Sequence, residues 1–148
     1  MKLTFTKMQG AGNDFVVFNA IDQEVVLTRE QLRHIADRHF GIGCDQVLLV
    51  ESPRRDDTEF HYRIFNADGG EVEQCGNGAR CFARYVHDRG LTDSTEIPVG
   101  TAAGNIRLYL EPDHMVRVNM GPPFLQPHEI PLEADRRADS YTLDIAGQ

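Results

Sequence analysis

Cys75-Gly76-Asn77-Gly78-Ala79-Arg80-Cys81-Phe82-Ala83-Arg84-Tyr85-Val86 is the segment around which the rest of the chain must be arranged. Ala79, Phe82, Ala83 and Val86 fall at i, i+3, i+4 and i+7, the spacing of one apolar helix face. Gly90 supplies a C-terminal stop, so a helix is predicted from Gly76 to about that point. Upstream the period changes to two. From Glu59 to Ala67, Phe60, Tyr62 and Ile64 face one side while His61, Arg63 and Phe65 face the other, and Asp68-Gly69-Gly70 turns the chain. Val47 to Val50 is an apolar run of the buried-strand type, followed by a charged turn from Ser52 to Thr58. Thr28-Arg29-Glu30-Gln31 is a capping box. It opens a short helix with Leu32, Ile35 and Ala36 on its apolar face, running to about His39 and ended by Gly41 and Gly43. Residues 2–7 read as a strand, 8–14 as a glycine turn, and Phe15 to Phe18 as the return strand of a hairpin.

Downstream, three more strands are expected over 95–100, 105–111 and 115–120, the last two joined by the turn Glu111-Pro112-Asp113-His114. After Met120 the texture changes. Gly121-Pro122-Pro123, Pro127 and Pro131 stiffen an extended segment, and Tyr141 to Ile145 allows one further strand. No internal repeat or low-complexity tract stands out. The reading is an α+β domain of roughly seven or eight strands and two helices over residues 1–120, with 121–148 as a connector toward another domain.

The 148 residues are 41% hydrophobic and 26% charged, ordinary values for a globular domain, which sets aside disordered, collagenous and coiled-coil classes. Fifteen Lys and Arg against 23 Asp and Glu leave a net charge of −8, a poor basis for binding nucleic acid or an anionic membrane. No apolar run approaches the ~18 residues of a membrane helix. The N-terminus alternates apolar and polar residues where a signal peptide would be continuous, so a soluble, cytoplasmic protein is expected. The three cysteines, Cys44, Cys75 and Cys81, are odd in number and lack zinc-ligand spacing, as free thiols in a reducing compartment would be.

Chemistry concentrates at Cys75. A thiol at the start of a predicted helix meets unpaired backbone N–H groups and partial positive charge. An anion is favoured there, a bound carboxylate or the thiolate itself. Gly76 and Gly78 let a ligand approach the backbone closely, at a cost in helix stability. These residues by themselves fit a second reading equally: a small buried cysteine beside an ordinary turn. Cys81 lies six residues on, about 240° around the helix, and is read as core, as is Cys44. Gly10-Ala11-Gly12-Asn13-Asp14-Phe15 begins like a dinucleotide loop but ends in Phe with no long helix behind it. The six histidines form no metal-ligand pattern, so no metal is expected. Asn13, Gln46 and Asn66 alone read as turn or strand-end polar residues.

In order, however, Met8-Gln9-Gly10-Ala11-Gly12-Asn13-Asp14-Phe15, Gly41-Ile42-Gly43-Cys44-Asp45-Gln46, Tyr62-Arg63-Ile64-Phe65-Asn66-Ala67-Asp68-Gly69, Gln74-Cys75-Gly76-Asn77-Gly78-Ala79-Arg80-Cys81 and Arg117-Val118-Asn119-Met120-Gly121 resemble the diaminopimelate epimerases. The resemblance covers nearly the whole chain and weakens after about residue 122. It implies one of two similar halves, each a β-barrel-like sheet wrapped around a central helix, with the active site in the cleft between them. It implies cofactor-free conversion of LL- to meso-diaminopimelate, on the route to lysine and peptidoglycan, with a small-molecule substrate. Cys75 would be one of two catalytic cysteines, and Asn13, Gln46, Asn66, Gly76 and Asn77 substrate contacts. The second cysteine with its glycine loop, its Glu-Arg pair and a closing strand would belong to a C-terminal half not present here. The 148 residues are therefore expected to be inactive alone, and the whole protein to be a homodimer. Two other readings stay open: a related cofactor-free racemase or isomerase acting on another substrate, such as proline or hydroxyproline, and a non-catalytic binding or assembly domain with an inert Cys75.

Overall fold

The computed structural model describes residues 2–142. Strands β2 (Asn13–Asn19) and β3 (Gln46–Glu51) set its frame, because their central residues are apolar on both faces. Phe15, Val17, Leu48 and Val50 enter one core, while Val16, Phe18, Val47 and Leu49 enter a second core on the opposite face. Strands buried on both sides belong inside a sheet, with a helix on each face. β2 and β3 pair in parallel, Phe15 opposite Gln46. A parallel pair needs a long crossover, which contains helix α1 (Arg29–Ala36), and its Leu32 and Ala36 close the second core. Helix α2 (Gly76–Asp88) fills the first core with Ala79, Phe82, Ala83 and Val86.

The remaining strands are β1 (Thr6–Gly10), β4 (Phe60–Asn66), the two-residue β5 (Glu71–Val72), β6 (Glu96–Thr101), β7 (Gly104–Leu110) and β8 (Val116–Asn119). The sheet runs β1-β2-β3-β4-β6-β7-β8, with β5 paired to β4. Strands from both ends of that order, β1 and β8, touch α2. Only a sheet that curls around the helix can do this, so the expected α+β half-barrel wrapped on a central helix is the observed one. Among the described residues no helix is long and apolar enough to cross a membrane.

Local differences from the sequence reading have identifiable causes. The glycine turn spans only Ala11 and Gly12, with φ of 51° and 92°. Two consecutive positive φ values are what a two-residue hairpin requires, so β1 continues to Gly10 and β2 starts at Asn13. α1 stops at Ala36, short of His39. Asp37 is extended, and its Oδ1 accepts the N–H groups of His39 at 2.7 Å and Phe40 at 2.8 Å, a side-chain alternative to further helix. The chain then folds back over α1, and a Cβ on Gly41 would lie 1.7 Å from the His34 carbonyl oxygen. Strand β5 was not expected. Beyond Asn119 the described chain forms one short 3-10 turn, Pro127–Glu129. The strand expected over Tyr141–Ile145 lies, from 143 onward, outside the described residues.

Candidate active site

Gln46 opens β3 and Asn66 ends β4, and the antiparallel register pairs them directly. Gln46 Nε2 donates to Asn66 Oδ1 at 2.8 Å. Asn13 stands where the hairpin turn enters β2, and Asn77 lies in the first turn of α2. Asn77 Nδ2 donates to Asn13 Oδ1 at 2.7 Å across 64 residues of sequence. Three strand ends and a helix N-terminus thus converge. Between them lies a groove of about 580 Å³ whose lining includes Asn13, Gln46, Asn66 and Cys75. Gly76 and Asn77 stand outside that lining, and a Cβ on Gly76 would lie 3.1 Å from the Met120 sulfur and 3.3 Å from Arg80 Nη1. A larger cavity of about 680 Å³ lies between the N-terminal segment and α1; its lining carries no thiol and none of these residues.

Cys75 is the N-cap of α2, with φ −145° and ψ 120°, and its side chain makes no capping bond. Ser, Thr, Asp or Asn at an N-cap contributes ~1 kcal/mol that cysteine forgoes. The first-turn N–H groups have no intrahelical acceptor and receive none from Cys75. The Cys75 backbone is nevertheless held twice: its carbonyl oxygen accepts from Ala79 N at 2.8 Å and from Tyr62 Oη at 3.2 Å. Burial pushes the Tyr62 phenol well above its ordinary pKa, so it remains a donor across the working pH range.

The sequence reading assigned Gly76 and Gly78 to ligand approach, but a Cβ on Gly78 would lie 2.6 Å from Tyr62 Oη and 3.0 Å from Ile64 Cδ1. Gly78 seats α2 on β4, which is a packing role.

The other two thiols are buried, Cys81 at 3% exposure beside Gly10 and Cys44 at 2%. Burial, with the neighbouring Cys75 thiol second, pushes Cys81 up to about 11, and burial likewise raises Cys44. Buried, protonated thiols react slowly, whereas Cys75 is only half-buried. Limiting alkylation near neutral pH should therefore label Cys75 first, as read by peptide mass mapping; equal labelling of Cys44 or Cys81 in the folded chain would contradict this placement.

Sequence reasoning missed the ion cluster bordering the groove. Arg38 bonds Asp14 at 3.0 and 2.7 Å and Asp45 at 2.8 Å, and Lys7 pairs with Asp14 at 2.9 Å. The Arg38 guanidinium holds the Asp14 carboxyl well below the usual range. The one available signal was adjacency, since Asp14 follows Asn13 and Asp45 precedes Gln46.

The family model described as diaminopimelate epimerase matches residues 5–125. The diaminopimelate epimerase of Nitrosospira multiformis is 57% identical over 145 residues, covering 98% of this chain and 52% of the relative. That of Aromatoleum aromaticum is 59% identical over 148 residues, covering 100% of this chain and 53% of the relative. The chain thus spans about half the length of the curated relatives it matches. The crystal structure of a hydroxyproline epimerase from Agrobacterium vitis, with bound trans-4-hydroxy-L-proline, aligns with TM-score 0.60 at 16% identity, over 77% of this chain and 40% of that one. A Bacillus anthracis phenazine biosynthesis protein of the PhzF family aligns with TM-score 0.55 at 21% identity, over 80% and 40%. At these identities the two structures speak to the fold alone.

Proposed function

The chain belongs to the diaminopimelate epimerase family, and on that premise we propose that residues 1–120 form the first half of a cofactor-free epimerase converting LL- to meso-diaminopimelate, with 121–148 leading to the second half. The observation that carries this reading is the convergence of Cys75, Asn13, Gln46 and Asn66 on one groove at the N-terminus of α2. In this reading the Cys75 sulfur exchanges the α-proton on one face of the substrate. The C–H electron pair stays on carbon and delocalises into the α-carboxylate. The Gly76 and Asn77 backbone N–H groups stabilise that charge; losing one such donor in an enzyme costs ~2.7–4 kcal/mol of barrier. A second cysteine, in the second half, transfers a proton on the opposite face. Two bases are required because inversion means removal from one side and delivery to the other. The paired amides of Gln46 and Asn66 offer neutral donors and acceptors for the distal amino-acid end. The whole protein is proposed to be a cytoplasmic homodimer serving lysine and peptidoglycan precursor synthesis.

The test joins residues 1–148 to the part of the Aromatoleum aromaticum relative outside the matched region and incubates this chimera with LL-diaminopimelate in deuterium oxide. The expected result is meso product carrying deuterium at the inverted α-carbon, and no epimerisation by the 148 residues alone. Comparable turnover by those residues alone would overturn the two-base reading. Turnover of proline or hydroxyproline in place of diaminopimelate would overturn the substrate. A chimera that binds diaminopimelate without exchanging its α-hydrogen would be a binding module.

A further inference from the structure

We propose that Asp45 is a positioning residue that fixes, through Asn13, which end of the Asn13 and Asn77 amides is left for substrate; this rests on the reading above that both residues touch it. Asp45 Oδ2 accepts from Asn13 Nδ2 at 3.2 Å and from the Asp14 backbone N–H at 3.1 Å. Asn13 Oδ1 accepts from Asn77 Nδ2 at 2.7 Å, and Asn77 Oδ1 accepts from Arg80 at 3.4 Å. The four side chains form one hydrogen-bond chain running from an anion to a cation across the start of α2.

A primary amide is nearly symmetric in shape, so its orientation is decided by its partners. An ionised carboxylate can only accept, which forces Asn13 to turn its nitrogen toward Asp45 and its oxygen toward Asn77. A guanidinium can only donate, which draws the Asn77 oxygen toward Arg80. Both ends therefore demand the same sense. They are unequal in strength. The Arg80 contact is long and its side chain is exposed, whereas Asp45 is braced by the Asp14 backbone and by Arg38 at 2.8 Å. The backbone N–H of Asp14 and the Asn13 amide hold its carboxyl below the ordinary aspartate range, so it is an acceptor only at neutral pH. Each asparagine then keeps one N–H and one carbonyl lone pair free, at a predetermined end. In Asp45→Asn the new amide can donate as well as accept, and the chain loses its fixed sense without losing volume.

The test is side-chain amide nitrogen–proton spectroscopy of the 148-residue chain, with melting recorded alongside. In the parent chain the Asn13 and Asn77 groups should each show one slowly and one rapidly exchanging proton. Free-amide exchange at both protons of Asn13 would overturn the proposal without any variant. In D45N both pairs should shift or double, while Asn105, bonded to Asp57 elsewhere, stays in place. A change confined to Asn13 would overturn the relay, and a stability loss alone would leave both pairs unmoved. In the chimera, D45N should raise KM for diaminopimelate tenfold or more. An unchanged KM with altered amide signals would overturn the positioning role. A parent chimera inert toward diaminopimelate, with the amide signals as expected, would strike the proposed activity and not the relay.

Discussion

Cys75→Ser in the two-half enzyme is expected to slow α-proton exchange about 10²–10⁴-fold, the range for loss of a positioned acid–base group, with no loss of stability. A thiol is acidic enough for one residue to serve, in the range around neutrality, as base in one direction and acid in the other. A serine hydroxyl stays protonated throughout that range. The fold should tolerate the change because Cys75 Sγ makes no capping bond, while serine is a favoured N-cap. The variant should melt at or slightly above the parent temperature. Capture of the first-turn N–H groups by serine is a second route to lost activity, distinct from removal of the base. Cys75→Ala separates the two, since alanine cannot cap and should be equally inactive. Deuterium incorporation at the substrate α-carbon measures both variants. Retention of more than a tenth of the parent rate by either would remove Cys75 from the chemistry.

That prediction rests on features of unequal visibility in the sequence. The periods of β4 and α2 were legible because each repeats a spacing imposed by one partner: Phe60, Tyr62 and Ile64 along β4, and Ala79, Phe82, Ala83 and Val86 along α2, meet in one core. The candidate site residues were legible as ordered motifs, since each sits at an element terminus where a run of apolar residues stops. What was hidden depends on distances between segments. Gly78 reads as a ligand-approach glycine until Tyr62 Oη is found 2.6 Å from its absent Cβ. Arg38, Asp14 and Asp45 carry no local sign of their cluster, because the bonds joining Asp14 to Asp45 cross 31 residues. The end of α1 was misplaced by three residues because Asp37 has two uses for its carboxylate, and only the position of the returning chain selects one. The curl of the sheet follows from β1 and β8 both touching α2, a closure that no window of sequence contains.

Phe82→Ala should be the most destabilising single truncation in the chain, at ~3–5 kcal/mol. Phe82 is fully buried at 0% exposure. Its ring meets Tyr62 edge-on, with centroids 5.3 Å apart at 82°, and Phe60 at 5.9 Å and 73°. The alanine side chain leaves a cavity in the middle of the half-barrel, where strands on several sides already fix the walls and collapse is restricted. Against a typical total of ~5–15 kcal/mol, that loss is a large share of the stability. At ~2–4 °C per kcal/mol for a chain of this size, the melting temperature should fall by roughly 6–20 °C. Phe40 provides the internal scale: it is 84% exposed, and its truncation should change stability by no more than ~0.5 kcal/mol. The effect of Phe82 should also reach the site. Tyr62 rests on the Phe82 ring and holds the Cys75 carbonyl through its hydroxyl, so loosening that ring frees one of the two bonds that fix the Cys75 backbone. Urea titration of the parent, Phe82→Ala and Phe40→Ala measures the stabilities. Alkylation of Cys75 at urea concentrations below each transition measures the second effect, with faster labelling expected only in Phe82→Ala. A stability loss under ~1 kcal/mol at Phe82 would mean that α2 is not the axis on which the sheet is packed.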